Sequence, residues 1–240
     1  MPEETLQWWH RLPREGPIDR IQALTEAARG RRVVHVGFVD ELMAAKQERG
    51  AWLHERLATV ASSLVGLDLD EAGVEAAQAQ GYEAHAIDAQ SAEAVRLLGL
   101  ERAEIVIAGE LIEHLDAPGP FLRAMHELAD ELVLTTPNAY RVANFLVPIS
   151  GREAVHPHHT SWQSPQTLRR LLDMSGWEAT RIAYYVNPVH RPLRGGPKQQ
   201  AATLLANALR SLLRRTNSLL PYWSDGMVVW ARGAARGTDA

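Results

Sequence analysis

The 240-residue chain contains no cysteine, which excludes disulfides, thiolate zinc sites and cysteine nucleophiles and leaves the redox compartment open. Lysine is nearly absent: only Lys46 and Lys198 occur among 25 basic residues, a bias that fits a GC-rich coding sequence better than a function. The formal net charge is −4, so there is no basic surplus to attract a nucleic acid. No apolar run approaches the ~20 residues that a membrane-spanning helix requires. The opening "MPEETLQWWHRLPREGP" is acidic at its start and lacks the apolar centre of a secretory signal. A cytoplasmic address is the simplest expectation. Internal repeats and low-complexity blocks are also missing.

What is present is an alternation. "RVVHV" (32–36), "SLVGLDLD" (63–70), "YEAHAID" (82–88), "EIVIAGE" (104–110) and "ELVLTTPN" (131–138) are short apolar runs with strand character. Between them lie segments with helical spacing: 51–61, 70–81, 89–100 and 118–129. Residues 18–29 place Ile18, Ile21, Leu24 and Ala28 on one helical face, with Gly30 as a stop. This order predicts one α/β domain of Rossmann-like, doubly wound type, with a mainly parallel sheet covered by helices on both faces. In the last third, Ser164 and Pro165 predict a helix start, and "EATRIAYYV" and "GMVVWAR" are further strands. The organisation expected is an N-terminal helical cap (1–30), a core (31–185), an inserted lid-like helical segment (186–225) and a last strand with tail (226–240).

In an open α/β sheet, ligands bind at the carboxyl ends of the strands, so the residues after each strand are the candidates. Gly37, followed by Phe38, is where backbone can approach a ligand closely. Asp68 ends the second run, and a carboxylate there can accept from both hydroxyls of a ribose. Asp88 follows the third and can accept from an adenine amino group. "AGELIEHLDAPG" follows the fourth, rich in carboxylates and carrying His114, and "TTPN" with Asn138 follows the fifth. Each also has a structural reading: Gly37 as a turn, and Asp68, Asp70 or Asp88 as helix caps. Their joint placement at successive strand ends is the informative part.

"VVHVGFVDE", "LVGLDLDEAGVEAA", "YEAHAIDAQ", "IVIAGELIEHLDAPGPFLRAMHELADELVLTTPN" and "HHTSWQSPQTLRRLLDMSGWE" together resemble the class I S-adenosylmethionine-dependent methyltransferases. The nearest likeness is to the group containing ubiquinone-type and saccharide O-methyltransferases. The resemblance covers roughly residues 30–185. It implies a seven-stranded sheet with an antiparallel last strand, S-adenosylmethionine as cofactor and a small-molecule or glycan acceptor. It also implies that Gly37 and Phe38 form the glycine loop, that Asp68 and Leu69 meet the ribose side, and that Asp88 and Ala89 meet the adenine. Gly109 and Glu110 then line the methionine part, and His114 matches a histidine that follows an acidic residue. Two departures stand out: His35 occupies a usually acidic position, and Val39 and Glu41 replace further glycines. Because "DELMAAKQERG" intervenes before the next helix, we read the loop as expanded, with Gly50 standing in for a displaced glycine. Helix 51–61, with His54 in its first turn, would then offer its free N–H groups.

Methyl transfer to a hydroxyl benefits from a base, and histidine suits the role. His114 and the "HPHHT" cluster (His156, His158, His159) are the candidates, with His114 and His159 expected to be catalytic. His156 and His158 with Glu110 or Glu113 could hold a metal, but their spacing matches no metal signature, so none is expected. A stripe of Leu205, Leu209, Leu212 and Leu213 within 199–215 admits three readings: a lid helix, a homodimer contact or a membrane-surface helix. Trp8, Trp9, Trp162, Tyr222 and Trp223 flank the domain and suit ring stacking or packing. A catalytically silent relative with a degenerate glycine loop is the alternative. A nicotinamide-dependent dehydrogenase would normally keep the glycine-rich turn that this chain lacks.

Overall fold

The computed structural model describes residues 9–187, 196, 197, 200, 201, 204, 208, 211, 212, 215 and 219–234. Its first elements are β1 (Glu15–Ile18), α1 (Arg20–Ala28), β2 (Arg32–Val36), α2 (Met43–Gln47) and α3 (Leu53–Ala58). Then come β3 (Ser63–Asp68), α4 (Glu71–Gln78), β4 (Glu83–Ala86), α5 (Ala92–Leu97) and β5 (Ile105–Gly109). The remainder is α6 (Pro118–Ala124), β6 (Glu131–Pro137), α7 (Val142–Leu146), α8 (Pro165–Met174), β7 (Trp177–Tyr185) and β8 (Gly226–Gly233). A short 3₁₀ turn, Ile112–His114, follows β5.

Successive side chains of a strand face opposite sides, and that alternation divides the core here. Val34, Val36, Val106, Ala108, Leu132 and Leu134 pack on one face with Phe121 and Leu122 of α6 and Leu168 and Leu172 of α8. Val33, Ile105, Ile107 and Val133 pack on the other with Leu24 and Ala28 of α1 and Leu57 of α3. Both faces are covered, which is why these strands read as continuous apolar runs. A smaller cluster of Phe38, Trp52, Val74, Ala77 and Ala84 closes the β4 side.

The strands form one sheet in the order β1-β7-β8-β6-β5-β2-β3-β4. Strands β2 to β6 are mutually parallel, and β8 runs antiparallel between β6 and β7. The expected antiparallel last strand is therefore present, but among the described residues the sheet has eight strands, not seven. The extra one is β1, so the first 30 residues are not purely a helical cap. β1 pairs parallel with β7, Glu15 opposite Ala183 and Ile18 opposite Tyr185. A Cβ on Gly16 would lie 2.6 Å from the Tyr184 carbonyl oxygen, so glycine permits this close edge pairing. Such a short "EGPI" run has no periodicity, and its partner lies far along the chain.

Three further boundaries differ from expectation. The helix expected over 51–61 is confined to α3, and the intervening segment carries its own short helix, α2. The apolar "VANFL" forms α7. Leu205, Leu209 and Leu213 of the stripe, like Trp8, lie outside the described residues. Among the described residues, no helix is long and apolar enough to cross a membrane.

α8 starts as its sequence predicts. Ser164 Oγ accepts from the Thr167 N–H at 3.2 Å, and Thr167 Oγ1 accepts from the Ser164 N–H at 2.9 Å. Pro165 follows at the first helical position, where it lacks only an N–H that has no intrahelical partner. Losing such a cap typically costs about 1 kcal/mol. Ser164→Ala is expected to lower the urea midpoint accordingly, and an unchanged midpoint would show that the box is not used.

Candidate functional site

The strand order reverses between β2 and β5: β3 and β4 follow on one side of the pair, β6 on the other. Loops leaving such neighbours diverge, opening a crevice at their carboxyl ends. A cleft of about 510 Å³ lies there, lined among others by Gly37, Asp68, Gly109, Glu110, His114 and His158. A second cleft of about 480 Å³ runs along α1 to Arg181 and Trp230. Apart from Ile18 at the end of β1, it meets α1 and mid-strand positions of β7 and β8, away from the tips of β2, β3 and β5.

Gly37 has φ +69, and a Cβ there would lie 2.9 Å from the Leu111 side chain. The turn and the close approach both require glycine. Phe38 lines the cleft, but its ring is buried, and its carbonyl accepts from Trp52 Nε1 at 3.0 Å. Asp68, at the end of β3, accepts from the Val39 N–H at 2.8 Å and the Asp70 N–H at 3.1 Å. It thus pins the loop after β2 as well as facing the cleft. Burial raises its pKa, opposed by these backbone donors.

Other expected residues stay outside. Gly50 is exposed, away from the cleft lining, and its carbonyl accepts from Arg56 Nε at 2.7 Å. It ends the α2 segment rather than replacing a loop glycine. Ala51, Trp52 and Leu53 line the cleft instead. His54 does lie in the first turn of α3, but it is fully buried, its Nδ1 3.1 Å from His35 Nδ1. Burial lowers the His54 pKa to about 4 and that of His35 well below its usual value. Asp88 is exposed and accepts from the Gln90 N–H at 2.9 Å, which is the turn-capping reading. Leu69 is exposed, and Ala89 packs on the core. Asn138 is buried, donating to the Tyr222 and Ser224 carbonyls at 2.8 and 3.0 Å. It ties β6 to the segment before β8, a structural task.

Gly109 and Glu110 end β5 at the cleft. Glu110 has φ +52, a left-handed conformation costly for a residue with a Cβ. It is held by its N–H, which donates to the Thr135 carbonyl at 2.9 Å and to Thr135 Oγ1 at 3.0 Å. Its carboxylate accepts from Tyr185 Oη and stands 3.7 Å from Arg20. Neither Arg20 nor Tyr185 is a candidate from sequence, because α1 and β7 approach β5 only in the folded sheet.

The histidines gather on the other side. The His114 ring meets His159 edge-on at 4.5 Å between centroids and His156 at 5.5 Å. The cause is a clamp: Thr160 donates from its N–H (2.8 Å) and its Oγ1 (3.0 Å) to the Glu113 carbonyl. Burial, with His114 and His156 nearby, lowers the His159 pKa to about 4. Burial likewise lowers that of His114, assisted by His156. Glu113 is 1% exposed and points away, accepting from Thr136 Oγ1 at 3.1 Å; burial pushes its pKa up to about 8. Trp162 stands 6.0 Å from the His159 ring, with the Arg141 guanidinium over it at 4.5 Å.

No family model matches the chain. It is 31% identical over 166 residues to a ubiquinone biosynthesis O-methyltransferase of Azorhizobium caulinodans, and spans 64% of that relative's length and 64% of its own. A SAM-dependent methyltransferase from Archaeoglobus fulgidus superposes with a TM-score of 0.55 at 16% identity, over 89% of this chain and 91% of that one. Magnesium protoporphyrin IX methyltransferase from Synechocystis PCC 6803, solved with bound SAH, superposes with a TM-score of 0.56 at 12% identity, over 92% and 90%. Strand order, the antiparallel β8 between β6 and β7, and these superpositions agree that the chain has the Rossmann-like α/β fold of the S-adenosylmethionine-dependent methyltransferases.

Proposed function

We propose that the chain is an S-adenosylmethionine-dependent methyltransferase that methylates a hydroxyl oxygen of a small polar acceptor of saccharide type. The observation that carries this reading is the cleft itself. Asp68, Gly37 and Gly109 converge at neighbouring strand tips, and a histidine cluster closes the other end. The residues present fit the cofactor. A carboxylate has about four acceptor sites, and Asp68 uses two on backbone N–H groups, which leaves two for ribose hydroxyls. Leu69 stands beside Asp68 on the ribose side, and Asp88 and Ala89, after the next strand, are the residues for the adenine. Gly109 and Glu110 serve the methionine end. When bound, S-adenosylmethionine supplies an electrophilic methyl group on sulfur.

The chain's own task is to hold the acceptor oxygen in line, exclude water and remove a proton. A neutral imidazole of His114 or His159 accepts that proton as the oxygen–carbon bond forms. Trp162 offers a ring face for a sugar. His159→Ala is expected to lower kcat at least ~100-fold, the size of a general-base contribution, with little change in cofactor affinity. A normal rate would clear His159 of the role. Calorimetric titration with S-adenosylmethionine and S-adenosylhomocysteine tests the reading as a whole, and binding of neither would end it. A silent binding protein is the competing reading, favoured by the exposed Asp88. It predicts cofactor binding without turnover on any hydroxyl acceptor.

A further inference from the structure

The three imidazoles of His114, His156 and His159 each place one ring nitrogen so that all three lie within 4.8 Å of one another. Two of these residues line the cleft. We propose that this trio is a site for one divalent transition-metal ion of the zinc class, with an open position facing the cleft. Sequence spacing conceals it. One ligand comes from the 3₁₀ turn after β5 and two from a loop some forty residues on, and the Thr160 clamp ties the two segments together.

Three observations support the assignment. His159 Nδ1 is buried and has no hydrogen-bond partner, an arrangement that a bound cation would relieve. The backbone holds the geometry, because the His159 N–H donates to the His156 carbonyl at 3.0 Å. His156 Nε2 stands 3.6 Å from Glu41 Oε1, which brings a carboxylate to the edge of the trio as a partner that can orient a ligating imidazole. Zinc–nitrogen bonds of about 2.1 Å in a tetrahedral set imply nitrogens about 3.4 Å apart, so the rings would close by on the order of 1 Å.

The donor set also selects the ion. Three imidazoles suit zinc, cobalt or nickel, whereas magnesium and calcium demand oxygen ligands. The two carboxylates that sequence proximity suggests as ligands are otherwise engaged: Glu110 with Tyr185 and Arg20, Glu113 with Thr136. His158, which the sequence pairs with His156 as a candidate ligand, is not part of the trio. Three protein ligands and one open position form the pattern of catalytic rather than structural zinc. Binding stands independently of any reaction. Its use rests on the methyl-transfer reading: an acceptor hydroxyl at the open position would lose its proton to solvent more readily, and His114 and His159 would then act as ligands rather than bases.

The test is calorimetric titration of the untagged, chelator-stripped chain with zinc chloride and, separately, magnesium chloride. One zinc per chain is expected, with magnesium binding at least ~100-fold weaker. His156→Ala and His159→Ala should each weaken zinc binding ~100-fold, while His158→Ala leaves it unchanged. No zinc binding, equal magnesium binding, or equal loss in all three variants would overturn the site. Cobalt-loaded wild-type protein provides a measurement that does not depend on a variant folding. Intense visible bands of a tetrahedral ion are expected, and a weak six-coordinate spectrum would refute the geometry. Cofactor affinity is measured in parallel with chelator present. Cofactor binding without zinc binding removes the metal site alone; zinc binding without cofactor binding removes methyl transfer alone.

Discussion

Replacing Asp68 by alanine is expected to weaken S-adenosylmethionine binding about 100-fold, or ~2.7 kcal/mol, the loss of two hydrogen bonds to a charged acceptor. The effect has two sources that can be separated. Asp68 would hold the ribose directly, and it also holds the loop after β2 through the Val39 N–H. Asp68→Asn keeps the volume and one acceptor oxygen. If the loop contact dominates, asparagine should recover most of the affinity; if the ribose contact dominates, it should recover little. Calorimetry on both variants, with thermal unfolding to confirm the fold, checks this. Unchanged affinity in the alanine variant would remove Asp68 from the cofactor site.

Replacing Glu113 by glutamine is expected to stabilise the protein at pH 8 by about 2 kcal/mol and to change little near pH 4. Burial is the main cause of its raised pKa. Glu110 adds to the rise, while Thr136 and Arg20 oppose it. The folded value of about 8 lies above the ordinary 4.5, so the fold prefers the protonated form. This contribution is complete below pH ~4.5 and is lost as pH rises toward 8. Glutamine cannot ionise and keeps an oxygen for Thr136 Oγ1. Its amide nitrogen replaces Glu113 Oε1, which is buried without a partner, and that limits the gain. Urea unfolding at both pH values, with chelator present, measures the effect. Equal stability of the two proteins at pH 8 would mean that the carboxylate ionises in place.

How much is legible in the sequence differs between elements for physical reasons. β2, β5 and β6 are readable because strands buried on both faces must be apolar throughout. The start of α8 is readable because Ser164 and Pro165 act on their own helix. β1 is not, because four residues containing glycine and proline have no pattern and gain their hydrogen bonds from β7. Gly50 misleads for a related reason. Its positive φ marks a real turn, but a turn does not say which surface it faces.

Local chemistry along the chain therefore determined the order of strands and helices and the placement of Gly37, Asp68, Gly109 and Glu110 at strand tips. Only the tertiary structure decided which of the tips share a cleft. It set Asp88 at the surface and His54 against His35, bound Glu110 to Tyr185 and Arg20, and drew His156 and His159 onto His114. The reason is range. Periodicity and caps act over a few residues, whereas these contacts join segments tens of residues apart that meet only once the sheet has formed.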